Sequence, residues 1–130
     1  MELAQVTAMA DLTPRIELFC KFADEITAEY WKRMNLTYAP PNTHRADIIS
    51  EKWCRIVTVE HWDGQPPKDS SVYGFICLQD GFTKALGHVK AGDIHKAAGW
   101  KAPAKHARGN ILVDGFEKNL TSHGIVYLRH

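Results

Sequence analysis

Apolar side chains stand at positions 16, 19, 20, 23, 26, 30 and 34, and Pro40 and Pro41 follow soon after. Steps of three and four repeat the turn of an α-helix. The residues therefore line one face of a helix that needs an apolar partner. A proline pair forbids continuation, since proline gives no N–H and its ring clashes with the preceding turn. Thr13 and Pro14 suit a helix start: a threonine hydroxyl can take an orphan N–H, and proline's fixed φ fits the first helical position. The spacing predicts a helix over 14–34, with residues 1–12 as a short helix or a mobile arm.

Beyond the prolines the period changes to two. "KWCRIVTVEHW" (52–62) and "SVYGFICLQ" (71–79) alternate in polarity and are rich in β-branched and aromatic residues. They read as strands paired into an antiparallel hairpin, with "DGQPPKDS" between them as a long loop. "NTHRADIISE" is ambiguous, with a short helical turn as one reading. "DGFTKALGHVKAG" (80–92) holds three glycines and supports only a short helix around 83–86. "DIHKAAGW" reads as a third, shorter strand with Ile94 inward. "APAKHAR" suits one or two helical turns closed by Gly109 in a left-handed position. "GIVYLR" (124–129) reads as a last strand. The expectation is a single α+β domain over 1–130, an N-terminal helix packed on a three- or four-stranded antiparallel sheet. At 130 residues and 45% apolar, the chain can bury a real core.

Several classes are excluded. No run of about 18 apolar residues is present, so no membrane span is expected. The first residues lack the basic and apolar regions of a secretory signal. Cys20, Cys54 and Cys77 are odd in number and unpaired in spacing, which argues for buried thiols in a reducing cytoplasm rather than a disulfide framework. Of the seven histidines, none forms an H-x-x-x-H pair, and no cysteine lies two to four residues from another. No metal and no cofactor is expected. Neither a nucleophile elbow nor a phosphate-binding loop occurs, so no catalytic residue is assigned.

Charge is the informative remainder. Residues 84–108 hold Lys84, Lys90, Lys96, Lys101, Lys105 and Arg108 against Asp93 alone, a balance of +5. With a total of +1, the rest of the chain carries −4. Such asymmetry points to an anionic partner for one face, unless the cations are merely solvated or paired with the chain's own acids. The stretch "AAGWKAPAKHARGNI" (97–111) contains no acid. Lys101, Lys105 and Arg108 are spaced four and three apart, which on a helical turn would place them on one face as phosphate contacts. Lys90, Lys96 and His106 would support them. Trp100 either stacks on a base or sugar or anchors the loop into the core.

The stretch "GDIHKAAGWKAPAKHARGNI" resembles a signature of small proteins of unknown function encoded by tailed bacteriophages. There a sequence like "RIV", then "SV.GFI", then this motif recur in order. The matching pieces here are residues 55–57, 71–76 and 92–111. The resemblance implies a phage origin and a host-cytoplasmic location, and it transfers no activity. A fainter similarity is to double-stranded RNA-binding domains, whose last helix starts with a "KK.AK" pattern like "KAPAK". Pro103, Gly109 and a following strand depart from that pattern.

The reading is a small phage accessory protein that uses a basic face to bind nucleic acid or another phosphate-bearing ligand. The alternative is an inhibitor or adaptor that grips a host protein, one involved in defence among them. Trp31, Trp53, Trp62 and Tyr73 would then serve as interface anchors, Trp62 beside "DGQPP" the best placed. An enzyme acting on a nucleotide is a weaker alternative. A homo-oligomer formed through the last strand would cover a sheet edge.

Overall fold

A computed structural model describes residues 3–126, with side chains from Leu12 onward. The first helix, α1, spans Leu3–Arg33 and contains Pro14. The expected start at Thr13–Pro14 is therefore corrected, and the described part of the N-terminal arm is helical and continuous with α1. Leu12, on the N-terminal side of the proline, is buried with Ile16, Phe19 and Ala23 at steps of four, three and four. Packing on both sides of Pro14 holds a helix through a residue that local preference would place at its start. The other end closes before the prolines. Asn35 takes a left-handed φ of 55°. The Leu36 N–H donates to the Trp31 carbonyl at 2.9 Å and the Asn35 N–H to Lys32 at 3.2 Å. Those two bonds satisfy the last carbonyls in the manner of a Schellman cap.

The helix lies against a five-stranded antiparallel sheet, one strand or more beyond expectation. It comprises β1 (Thr43–Ile48), β2 (Trp53–Glu60), β3 (Lys68–Cys77), β6 (Asp93–Ala97) and β7 (Pro103–Asn110), in the order β1-β2-β3-β6-β7. The hairpin of β2 and β3 is as expected, and Ile94 is fully buried on β6. The ambiguous "NTHRADIISE" supplies β1. Residues expected as a short helix at 83–86 instead join two three-residue strands, β4 (Gly81–Thr83) and β5 (Gly87–Val89). Of the expected last strand, the described residues form β9 (Gly124–Ile125), paired with β8 (Leu120–Thr121) outside the main sheet. Residues 127–129, and the oligomer contact expected through them, lie outside the described residues.

The largest correction concerns "APAKHAR", which is edge strand β7 and not a helix. Its pairing with β6 is irregular: Asp93 faces Asn110, His95 faces Ala107 and Ala97 faces Pro103, so β7 carries extra residues at two bulges. Pro103 sits at the first strand position, where a missing donor costs least. Gly109 has a φ of +128°, and a Cβ there would come within 2.6 Å of the Asn119 side chain. Close approach explains this glycine, not a helix end. The similarity to a double-stranded RNA-binding domain loses its final helix with the same correction.

Register separates the two faces. Ile48, Cys54, Ile76 and Ile94 form one row across the sheet, and Asp47, Arg55, Phe75, His95 and Ala107 the adjacent row. Because side chains alternate, the two rows point to opposite faces. Cys54, Ile76 and Ile94 join Leu12, Ile16, Phe19, Ala23, Ile111, Phe116 and Ile125 in the helix-side core. The β8–β9 hairpin completes that layer. Gly74 admits it, since a Cβ there would overlap Ile125 and lie 2.8 Å from the His95 carbonyl oxygen.

Candidate functional site

On the face away from α1, alternation places Trp53, Arg55, Val57 and Val59 of β2 together. The valines are buried outside the helix-side core. The chain between β6 and β7 turns back over this face. Ala98 N–H donates to the Ala102 carbonyl at 2.9 Å, closing the turn. Arg55 Nη1 donates to the Trp100 carbonyl at 2.9 Å, and its guanidinium carbon lies 5.7 Å from the centre of the Trp100 ring. Trp100 is thus held on an arginine, outside the core, with 45% of its surface in solvent. Arg55 is a member of this arrangement that the sequence did not single out. The available signal was a charge in phase with Trp53, Val57 and Val59 on one side of a strand.

His95, on the same face in register with Phe75 and Ala107, is 1% exposed. Its Nδ1 is 2.7 Å from the Ala104 carbonyl oxygen. A carbonyl can only accept, so Nδ1 carries the proton. Nε2 is left buried without a hydrogen-bond partner among the described residues, with the Trp53 ring edge-on at 5.2 Å. Burial pushes the His95 pKa below 6.5 despite the Ala104 bond, because protonating Nε2 would leave a charge in a dry site.

The expected phosphate contacts do not share a helical face. Lys101 is exposed in the loop before β7, and Lys105 and His106 are exposed on the edge strand itself. Arg108 is half-buried, with Nη1 donating to the His106 carbonyl at 3.1 Å and Nε buried without a partner. Lys90 is exposed just after β5, its backbone N–H held by Asp93 Oδ2 at 2.9 Å. Among the described residues, no ion pair within 4.0 Å joins Lys90, Lys101, Lys105 or Arg108 to a carboxylate. Lys96 differs: its ammonium donates to the Ile125 carbonyl, tying the β8–β9 hairpin to the sheet. Burial, and then Arg108, lower its pKa.

The interface anchors separate too. Tyr73 is buried, its hydroxyl donating to the Thr121 carbonyl at 2.7 Å. Trp31, Tyr38 and Trp62 instead form an aromatic ladder with centroids 5.2 and 5.9 Å apart. Tyr38 is 63% and Trp62 45% exposed. Trp62 Nε1 donates to Glu60 at 3.2 Å beside an open pocket that Pro66 and Pro67 help to line.

The remaining chemistry is quiet. The three thiols are free, and burial pushes the Cys20 and Cys54 pKa values up to about 12, so neither is a ready nucleophile at neutral pH. Among the described residues, no group of three or more His, Cys, Asp or Glu side chains is arranged to hold a metal ion. No helix there is long and apolar enough to cross a membrane.

A model for a family of unknown function, DUF7717, matches residues 18–123, from the middle of α1 to the turn between β8 and β9. No curated protein and no solved structure matches the chain. The match covers most of the chain, including the whole sheet and its basic edge, and the protein therefore belongs to the DUF7717 family of unknown function.

Proposed function

We propose that the protein binds nucleic acid or another phosphate-bearing ligand through the loop 98–102 and the edge strand β7. Lys101, Lys105 and Arg108 contact phosphate, with Lys90 and His106 beside them. The observation that carries this reading is that these lysines and Arg108 have no carboxylate within ion-pair distance among the described residues, although the chain as a whole is nearly neutral. As an edge, β7 also has one side unpaired in the sheet, so its outward N–H groups are available to phosphate oxygens. The phage-like order of segments 55–57, 71–76 and 92–111 supports an accessory role in the host cytoplasm.

The test is a salt titration of binding to generic DNA and RNA. Neutralising about three phosphates gives a log–log slope of roughly −2 to −3. Replacing Lys101, Lys105 and Arg108 together by Ala abolishes binding and leaves the circular dichroism spectrum unchanged. Full binding by the triple variant refutes the assignment.

A second reading, an adaptor or inhibitor of a host protein, is favoured by the exposed Tyr38–Trp62 pair. It expects a stoichiometric, salt-tolerant complex that Trp62→Ala disrupts and the triple variant does not.

A further inference from the structure

Trp100 is the least economical residue of the basic loop if the loop only gathers charge. A ring of this size gains stability by burial, yet it remains 45% exposed. It is not loosely placed. Arg55, from a strand 45 residues earlier, bonds the Trp100 carbonyl and lies against the ring at 5.7 Å, within cation–π range. The turn that carries the ring is closed by the Ala98–Ala102 bond. Arg55 is itself anchored in the sheet between Asp47 and Phe75, and it has no carboxylate within 4.0 Å among the described residues. One side of the indole is thus backed by a fixed cation. No other aromatic ring of the described residues stacks on it. Lys101 follows it directly in the chain.

From this arrangement we infer that Trp100, backed by Arg55, is a stacking platform for an unpaired base, and that the ligand of the basic edge is single-stranded nucleic acid. The inference rests on the phosphate-binding reading above and narrows its ligand class. Within a duplex each base is covered above and below by its neighbours, so its face is closed to a protein ring. In a single strand the face is open, and successive phosphates remain within reach of a cationic edge. The arginine behind the ring holds it in place and adds positive potential under the stacked base.

The experiment measures anisotropy of labelled oligothymidylate, a blunt duplex of equal length and an abasic deoxyribose-phosphate oligomer, at low salt and along a salt series. The wild-type chain binds the thymidylate more tightly than either of the others. Trp100→Ala weakens thymidylate binding by about tenfold or more, the size of one base–aromatic stack, and leaves the salt slope unchanged because no counterion is involved. Trp100→Phe recovers most of the loss. Lys101→Ala/Lys105→Ala/Arg108→Ala reduces the slope instead. Quenching of tryptophan fluorescence by the thymidylate is lost in Trp100→Phe, although Trp31, Trp53 and Trp62 remain. If the abasic oligomer binds as well as thymidylate, or Trp100→Ala is silent while the triple variant fails to bind, the platform is refuted and the phosphate-binding reading stands. If none of the three oligomers binds the wild-type chain, both fall.

Discussion

The two faces of the central sheet are covered by different means. On one, α1, the 3-10 turn Phe116–Asn119 and the β8–β9 hairpin lay Leu12, Ile16, Phe19, Ala23, Phe116 and Ile125 against Cys54, Ile76 and Ile94, a continuous apolar layer. On the other, no helix of the described residues arrives. Arg55 sits against Trp100, His95 is pinned to Ala104, and Arg45 spans Asp47 and Asp69. The first face is held by area removed from water and tolerates rearrangement of equal volume. The second is held by directional contacts, each dependent on one partner. Such a face suits the recognition of charge, because its polar groups are already oriented; Arg45 there is taken up by Asp47 and Asp69, whereas Arg55 has no carboxylate within 4.0 Å among the described residues.

The contrast is broken most severely at Phe19. Its ring is fully buried, edge-on to Tyr73 at 5.8 Å and stacked with Phe116 at 6.1 Å. Phe19→Ala removes the shared centre of the helix-side layer and costs about 3–5 kcal/mol, read from urea unfolding. Trp100→Ala, on the opposite face, leaves the midpoint nearly unchanged. Equal losses from the two would show that the loop 98–102 is core and not a site.

Legibility in the sequence follows the same division. The stripe at 16, 19 and 23, the β2–β3 hairpin and the inward Ile94 could be read because burial imposes a period on the chain itself. The cations of residues 84–108 were visible as composition. Their arrangement was not: alanine, lysine and arginine in "APAKHAR" favour a helix locally, and only pairing with β6 makes the segment a strand. Lys96 and Lys101 look alike in the sequence, and the difference between them is the Ile125 carbonyl, 29 residues away from Lys96. Arg55 under Trp100 depends on a loop folding back across two strands, which no local pattern encodes.

An intermediate effect appears on acidification. His44, on the helix side, donates Nδ1–H to Asp24 at 2.8 Å, and His95 does the same to Ala104 on the other face. Burial holds both pKa values below 6.5, in His44 against the opposing pull of Asp24. The unfolded chain therefore takes up protons near pH 6.5 that the folded chain refuses. Stability is fully present above that pH and falls as the pH drops toward the folded values, by at most about 1.4 kcal/mol per pH unit for each histidine. Carboxylates with lowered values, Asp47, Glu60 and Asp69, act only in a more acidic window. Urea midpoints at pH 7.5 and 5.0 measure the loss. His44→Gln and His95→Gln each remove a share of it, which apportions the effect between the faces. A midpoint that is flat or rises on acidification contradicts both placements.

The smallest effect belongs to Arg45, although both its carboxylate partners are held by two hydrogen bonds each. Its guanidinium makes four hydrogen bonds, two at 2.9 and 3.0 Å to Asp47 and two at 2.9 and 3.0 Å to Asp69. Those bonds hold the Asp47 and Asp69 carboxyls below their usual range. Yet the side chains stand 46%, 31% and 47% in solvent, where water screens the attraction and both partners are well hydrated without it. Arg45→Gln therefore lowers the urea midpoint slightly at low ionic strength, and the difference shrinks further in molar salt as the Debye length falls to about 3 Å. The Asp47 carboxyl, relieved of its cation and left facing Asp69, titrates at a higher pH by NMR. A loss comparable to that of Phe19→Ala, or one indifferent to salt, would mean that charge rather than packing holds β1 and β3 to the strand between them.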